Sequence, residues 1–167
     1  MKISSAKIVP CLWFDKVGED AAKFYVSIFP GSKITHVARY GEAGKEVHGQ
    51  KPGTVMAVSF ELAGQPFSAL NGGPMFKFTE AISLQIMCDD QKEVDHYWRH
   101  LTEGGPVEAQ QCGWVKDKFG LSWQVVPKRL FELIDDSDAG RRERAFGAMM
   151  QMKKLDIATL ERAADGK

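Results

Sequence analysis

The side chains able to bind a metal, attack a substrate or move a proton are few here, and their spacing decides which chemistry is worth pursuing. His96 and His100 stand four residues apart, a spacing at which two imidazoles on one helix face can share a metal. Their neighbours Val94, Tyr97, Trp98 and Leu101 form the apolar stripe of the same segment, which turns both histidines toward solvent. Cys11, Cys88 and Cys112 make neither a CxxC nor a Cys/His zinc pattern, and three cysteines fit free thiols in a reducing compartment. Each is read first as a small buried hydrophobe. Cys11 and Cys112 are kept as nucleophiles only for the case that the chain is an enzyme. No Ser, His and Asp arrangement and no paired carboxylates emerge, so catalytic residues are left unassigned.

A different set of residues follows from strand alternation, which sends neighbouring side chains to opposite faces. In the run Cys11–Phe14, Leu12 and Phe14 share one face, and Cys11 and Trp13 the other. From Ala81 to Cys88, Ile82, Leu84 and Ile86 oppose Ser83 and Gln85; from Leu121 to Val126, Leu121, Trp123 and Val125 oppose Ser122 and Gln124. The apolar sets suit helix-covered faces. The opposite sets are neutral, polar and aromatic, a lining for an uncharged or zwitterionic small molecule held by amide and hydroxyl hydrogen bonds and ring stacking. Trp13, Gln85 and Gln124 are expected to line one shared cavity. The alternative is an interior whose polar groups satisfy one another. Asn71 opens a turn through Pro74 and either contacts a ligand or closes that turn. The stretch GEAGKEVHGQKPG, residues 41–53, is polar, Gly-rich and long, a candidate lid in which Glu46 and His48 could reach a ligand.

The elements that must position these residues come in two similar sets. Residues 8–14 are β-rich, and 17–29 carry Ala21, Phe24, Tyr25 and Ile28 at helical spacing before Pro30 and Gly31 stop the helix. Strands are predicted at 33–40, 54–62 and 66–70, the last two joined by a turn at Ala63, Gly64 and Gln65. The second set has a strand at 81–88, a helix over 90–103, and strands at 107–111, 113–116 and 121–126. Both halves read βαβββ, and the repeat is more informative than any one strand. Beyond Pro127 the pattern becomes helical: 129–134, a segment capped by Asp138 and running through Lys154, and a short helix capped by Asp156. Phe146, Met149, Met150 and Met152 of this tail are expected to pack on the body or on a second subunit.

The chain's 167 residues suffice for one domain or two small modules sharing a core. Lys plus Arg and Asp plus Glu each number 22, which argues against a general nucleic-acid binder. The amino-terminal MKISSAKIVPCLWF does not read as a signal peptide, and no run is long and apolar enough for a membrane helix. A cytoplasmic protein without membrane or nucleic-acid partners is expected.

PCLWFDKVGEDAAKFYVSIFPGSKI and FSALNGGPMFKFTEAISLQIMCDDQKEVDHYWRHLTEGG, followed by QCGWVKDKFGLSWQVVP and MMQMKKLDI, resemble the PhnB-like branch of the glyoxalase, bleomycin-resistance and dioxygenase (vicinal oxygen chelate) superfamily. The resemblance implies an α+β fold of two βαβββ modules forming curved mixed sheets, with a C-terminal helical tail. It implies one domain over 1–167, with modules at about 7–75 and about 80–127 and a tail from about 128, and frequent homodimerisation. Catalytic relatives hold a divalent metal at positions that fall here on Gln124, Ala81, Val9 or Pro10, and Leu70 or Asn71. Mostly these cannot ligate, so no cofactor is expected and the metal site is expected to be lost. PhnB-like chains are also labelled 3-demethylubiquinone-9 3-methyltransferase, yet no Gly-rich strand-to-helix loop of the kind a methyl-donor nucleotide needs is found. The sequence thus points to a small-molecule-binding protein, with a metal-dependent isomerase, lyase or dioxygenase, or a Cys-based enzyme, as the alternative.

Overall fold

Alternation in CLWF does make a strand, β1 (Cys11–Phe14), with Leu12 and Phe14 buried, Trp13 half-buried and Cys11 exposed. The computed structural model describes residues 6–167, so the start of the segment read for a signal peptide lies outside the described residues. Helix α1 (Gly18–Ile28) buries Ala21, Tyr25 and Ile28 of the predicted apolar stripe, with Ala22 beside them, while Phe24 of that stripe is half-buried. Strands β2 (Lys33–Arg39), β3 (Val55–Leu62) and β4 (Gln65–Asn71) follow, with a short helix α2 (Lys45–His48) between β2 and β3. They form a sheet in the order β1, β4, β3, β2, in which β1 runs parallel to β4 and the other pairs are antiparallel. Ala63 and Gly64 turn the β3–β4 hairpin with φ of 47° and 84°, the left-handed values that a tight two-residue turn demands. The helix-covered face carries Tyr25, Phe60 and Phe67, with ring centroids 6.3 and 5.5 Å apart in succession. This first compact unit ends at Lys77.

The second unit, Phe78–Lys167, opens with β5 (Leu84–Cys88) and α3 (Gln91–Thr102). Asp90 caps α3 by accepting a 2.9 Å hydrogen bond from the Glu93 amide, while the Glu93 carboxylate accepts from the Asp89 amide at 2.7 Å. Strands β6 (Trp114–Lys116) and β7 (Ser122–Pro127) complete a three-stranded sheet in the order β5, β7, β6, with β5 parallel to β7. Two expectations are corrected here. The strand predicted over 107–111 is a 3-10 turn, Val107–Ala109, followed by a single bridge from Gln111 to Trp114, so the second module lacks a fourth strand. Pro106 and Val107 offer their carbonyls to the amides of Ala109 and Gln110, satisfying the backbone locally, and Val107 is 60% exposed with no face to bury. The strand predicted from Ala81 begins only at Leu84, opposite Trp123, and Ile82 lies outside it, 66% exposed.

Three helices follow: α4 (Lys128–Ile134), α5 (Ala139–Met149) and α6 (Ile157–Ala164), with Asp138 and Asp156 capping the last two as expected. α5 ends short of the predicted Lys154. Leu130, Leu133, Ala145, Leu155, Leu160 and Ala164 bury one another against Val126 of β7, on the sheet face opposite α3. Just before β6 the tail is stitched to the sheet by backbone bonds, from the Cys112 and Gly113 amides to the Met152 and Lys153 carbonyls, both 2.8 Å. Gly113 has φ of 84°, and a Cβ there would stand 3.0 Å from both a Leu155 methyl and the Val125 carbonyl, so both backbone angle and close approach call for glycine.

Candidate functional site

Of the residues that alternation places opposite the helix-covered face, Ser83, Gln85 and Gln124 do meet. Gln85, Gln124 and Trp114 are register partners across β5, β7 and β6, so their side chains form one row on the open face. Gln85 Nε2 donates to Gln124 Oε1 at 3.2 Å, and Gln124 Nε2 donates to Ser83 Oγ at 2.7 Å. This chain fixes the orientation of the Gln124 amide while leaving the Gln85 carbonyl oxygen free of any bond among the described residues. Ser122, one row along and facing Lys116, is 2% exposed, and among the described residues no hydrogen bond reaches its hydroxyl. No deeply enclosed side-chain nitrogen or oxygen among the described residues lacks a partner, so the Ser122 hydroxyl opens on the space above the sheet.

That space is a pocket of about 690 Å³ within the second unit, with Gln85, Trp114, Ser122 and Gln124 on its floor. Volume and mixed lining fall in the range of small-molecule sites. Its far wall comes from the tail, as Leu130 and Phe131 of α4 and Met149 and Met150 at the end of α5. Cys112 stands at the rim, its Sγ 3.8 Å from Met150 Sδ. The only cation in the lining, Lys116, is ion-paired with Glu80, whose carboxyl this contact holds below its ordinary pKa. Glu108 adds a further carboxylate to the lining, so the pocket offers no unpaired positive charge. Sequence reasoning passed over Trp114 and Phe131. Alternation from buried Val115 places Trp114 on the open face, but nothing local shows that α4 lies over that face.

Most of the other candidates belong to the first unit. Cys11 and Trp13 lie on the open face of its sheet, and the Trp13 indole N–H donates to the Gly73 carbonyl at 2.8 Å. A Cβ on Gly72 would stand 2.3 Å from the indole, so this glycine admits the ring, and Phe76 meets it edge-on at 4.9 Å. Asn71 is buried; its Oδ1 accepts from the Gly18 amide at 2.8 Å and its Nδ2 donates to the Val55 carbonyl at 3.1 Å, tying α1 and β3 to the end of β4. Glu46 and His48 lie on α2 inside the loop proposed as a lid. His48 Nδ1 accepts from the Gln50 amide at 3.0 Å, which places the proton of the neutral ring on Nε2, 3.2 Å from the Ala43 carbonyl. The Tyr40 ring packs on it at 4.5 Å. In the second unit, His96 and His100 have ring centroids 4.7 Å apart, and partial burial followed by His96 lowers the His100 pKa.

The family model described as 3-demethylubiquinone-9 3-methyltransferase matches residues 6–126. The chain belongs to this family. A solved structure described as a putative 3-demethylubiquinone-9 3-methyltransferase, PhnB protein, from Bacillus cereus is 33% identical, with TM-score 0.64 over 73% of this chain and 99% of that one. Protein PA1353 from Pseudomonas aeruginosa, 20% identical, shares the fold at TM-score 0.56 over 74% of this chain and 98% of that one. No curated protein matches the chain. The PhnB-like branch implied by the sequence motifs and the α+β fold of two small mixed sheets therefore hold, and the family match stops where the tail begins. At the positions where catalytic relatives hold a metal, Val9, Pro10, Leu70 and Ala81 offer no side-chain donor, and the amides of Asn71 and Gln124 are already engaged. No group of three or more His, Cys, Asp or Glu among the described residues is arranged to hold a metal ion. This donor set does not fit the superfamily's divalent ion. No helix among the described residues is long and apolar enough to cross a membrane.

Proposed function

We propose that the chain is a small-molecule-binding protein whose site is the open face of the β5–β7–β6 sheet, and that it works without the superfamily's metal. The observation that carries this reading is the oriented amide pair, Gln85 and Gln124 at 3.2 Å, beside the unbonded Ser122 hydroxyl in a pocket of about 690 Å³. Polar groups held in place but left partly unsatisfied suit a ligand that completes their bonds. The methyl transfer in the family's description is not part of this proposal, because the sequence offers no loop for a methyl-donor nucleotide. A thermal-shift screen of the purified protein against uncharged and zwitterionic metabolites should yield a hit. Gln85→Ala and Gln124→Ala should each weaken that hit by roughly 1 to 3 kcal/mol, the usual cost of leaving unpaired a ligand group that binding buries over exposed Gln85 and half-buried Gln124, with little change in melting temperature. Elemental analysis of the same preparation should find no stoichiometric divalent metal. Unchanged affinity in both variants would sink the site, and one metal ion per chain, lost with Gln124, would sink the metal-free reading.

A further inference from the structure

We propose that the C-terminal helices, which lie beyond the family match, are the specificity element of the Gln85–Gln124 pocket and select a flat, neutral aromatic ligand carrying a hydrogen-bonding group. The inference rests on the binding role proposed above and adds to it the second wall and the ligand class. The family match ends at residue 126, and α4 and α5 lie beyond it. They pack over the sheet face that carries the amide row, anchored by Val126, by the two backbone bonds to Met152 and Lys153, and by Gln91, whose amide bonds both the Leu155 carbonyl and the Ile157 amide. A wall fixed this firmly can discriminate by shape.

The wall's chemistry narrows the ligand. Phe131 and Met150 line the pocket yet are 39% and 42% exposed, apolar surface that a ligand would cover. Thioethers and rings on one side, with Trp114 across the floor, favour a planar aromatic body. The polar edge is set by Ser122, a residue 2% exposed whose hydroxyl has no bond among the described residues, and by the free Gln85 carbonyl. Those groups call for a donor and an acceptor on the ligand, not a charge. The Glu80–Lys116 pair cancels its own charges and leaves Glu108 as the net charge of the lining, which disfavours an anion.

The test uses the full chain and two fluorescent probes of matched shape: neutral N-phenyl-1-naphthylamine and anionic 1-anilinonaphthalene-8-sulfonate. The neutral probe should bind at least about tenfold more tightly than the anionic one. The double variant Phe131→Ala with Met150→Ala, at partly exposed positions, should lose about tenfold in affinity for the neutral probe. Phe146→Ala, also on α5, 52% exposed and outside the pocket lining, should lose nothing. Weakening by Gln85→Ala or Ser122→Ala but not by the double variant would overturn the tail's role and leave the binding site standing. Absence of neutral-probe binding, equal affinity for the two probes, or an unchanged affinity in every variant would overturn the inference. So would a double variant that turns a dimer into a monomer and binds the probe as before, since the wall would then be a subunit contact.

Discussion

The three cysteines show how far residue type alone reaches. Their number and spacing remove disulfide and zinc chemistry from first consideration, but only the fold separates them. Cys88 is fully buried on β5, and burial, reinforced by the carboxylates of Glu93, Asp89 and Asp90, pushes its thiol from 9.0 up to about 12. Cys112 is half-buried at the pocket rim and Cys11 is exposed. Cys11 and Cys112 should react with a maleimide at neutral pH, and Cys88 only after unfolding. The shift also sets a pH dependence. The folded state holds the Cys88 proton more tightly than the unfolded chain, so this contribution to stability is complete below about pH 9 and disappears as pH rises toward about 12. Tyr97, raised chiefly by its own burial, shifts in the same sense. The urea midpoint should fall across this range, less steeply in Cys88→Ala; an identical slope in the variant would refute the assignment.

At the scale of elements, periodicity captures α1, α3 and most strands because each buries one face against one neighbour. It fails where the backbone finds partners that no periodicity encodes. The 3-10 turn at Val107–Ala109 is one such place; at the β6–β7 connection the sequence does predict the turn at residues 118–120, but not the side chain that fixes it. There Asp117, 1% exposed, accepts from the Phe119 and Leu121 amides through Oδ1 at 2.8 and 3.1 Å and from the Trp123 indole through Oδ2 at 2.7 Å. In the sequence KDKFG it looks like a surface turn residue. Its carboxylate instead fixes the reversal that brings Gln124 opposite Trp114. Asp117→Ala should cost about 3 kcal/mol or more, three bonds at roughly 1 kcal/mol each plus stranded donors. Asp117→Asn should cost less, since one amide oxygen can keep two of the bonds while the indole loses its acceptor. Chemical denaturation followed by tryptophan fluorescence reads both, and a neutral Asp117→Ala would show the turn to be self-supporting.

For the molecule as a whole, each sheet leaves strand edges unpaired among the described residues, β1 and β2 in one, β5 and β6 in the other. Such edges favour association, and a homodimer, the state that the PhnB-like resemblance implies, is the expected form. Light scattering at micromolar concentration should give twice the chain mass of 18.6 kDa, and a monomeric mass would refute it. Within each unit, the sequence by itself determined which face of β1, β5 and β7 is apolar, because alternation of side chains is a local property. It thereby named Ser83, Gln85, Ser122 and Gln124, together with Cys11 and Trp13 of the first unit, as polar and aromatic lining. Only the tertiary structure decided that Leu130, Phe131, Met149 and Met150 stand opposite the second unit's part of that lining, because where a helix docks depends on burial against residues far away in the chain. For the tail, the deciding contacts are the cluster that Val126 shares with Leu130, Leu133 and Leu155 and the bond of Gly113 to Lys153, and no local pattern records them.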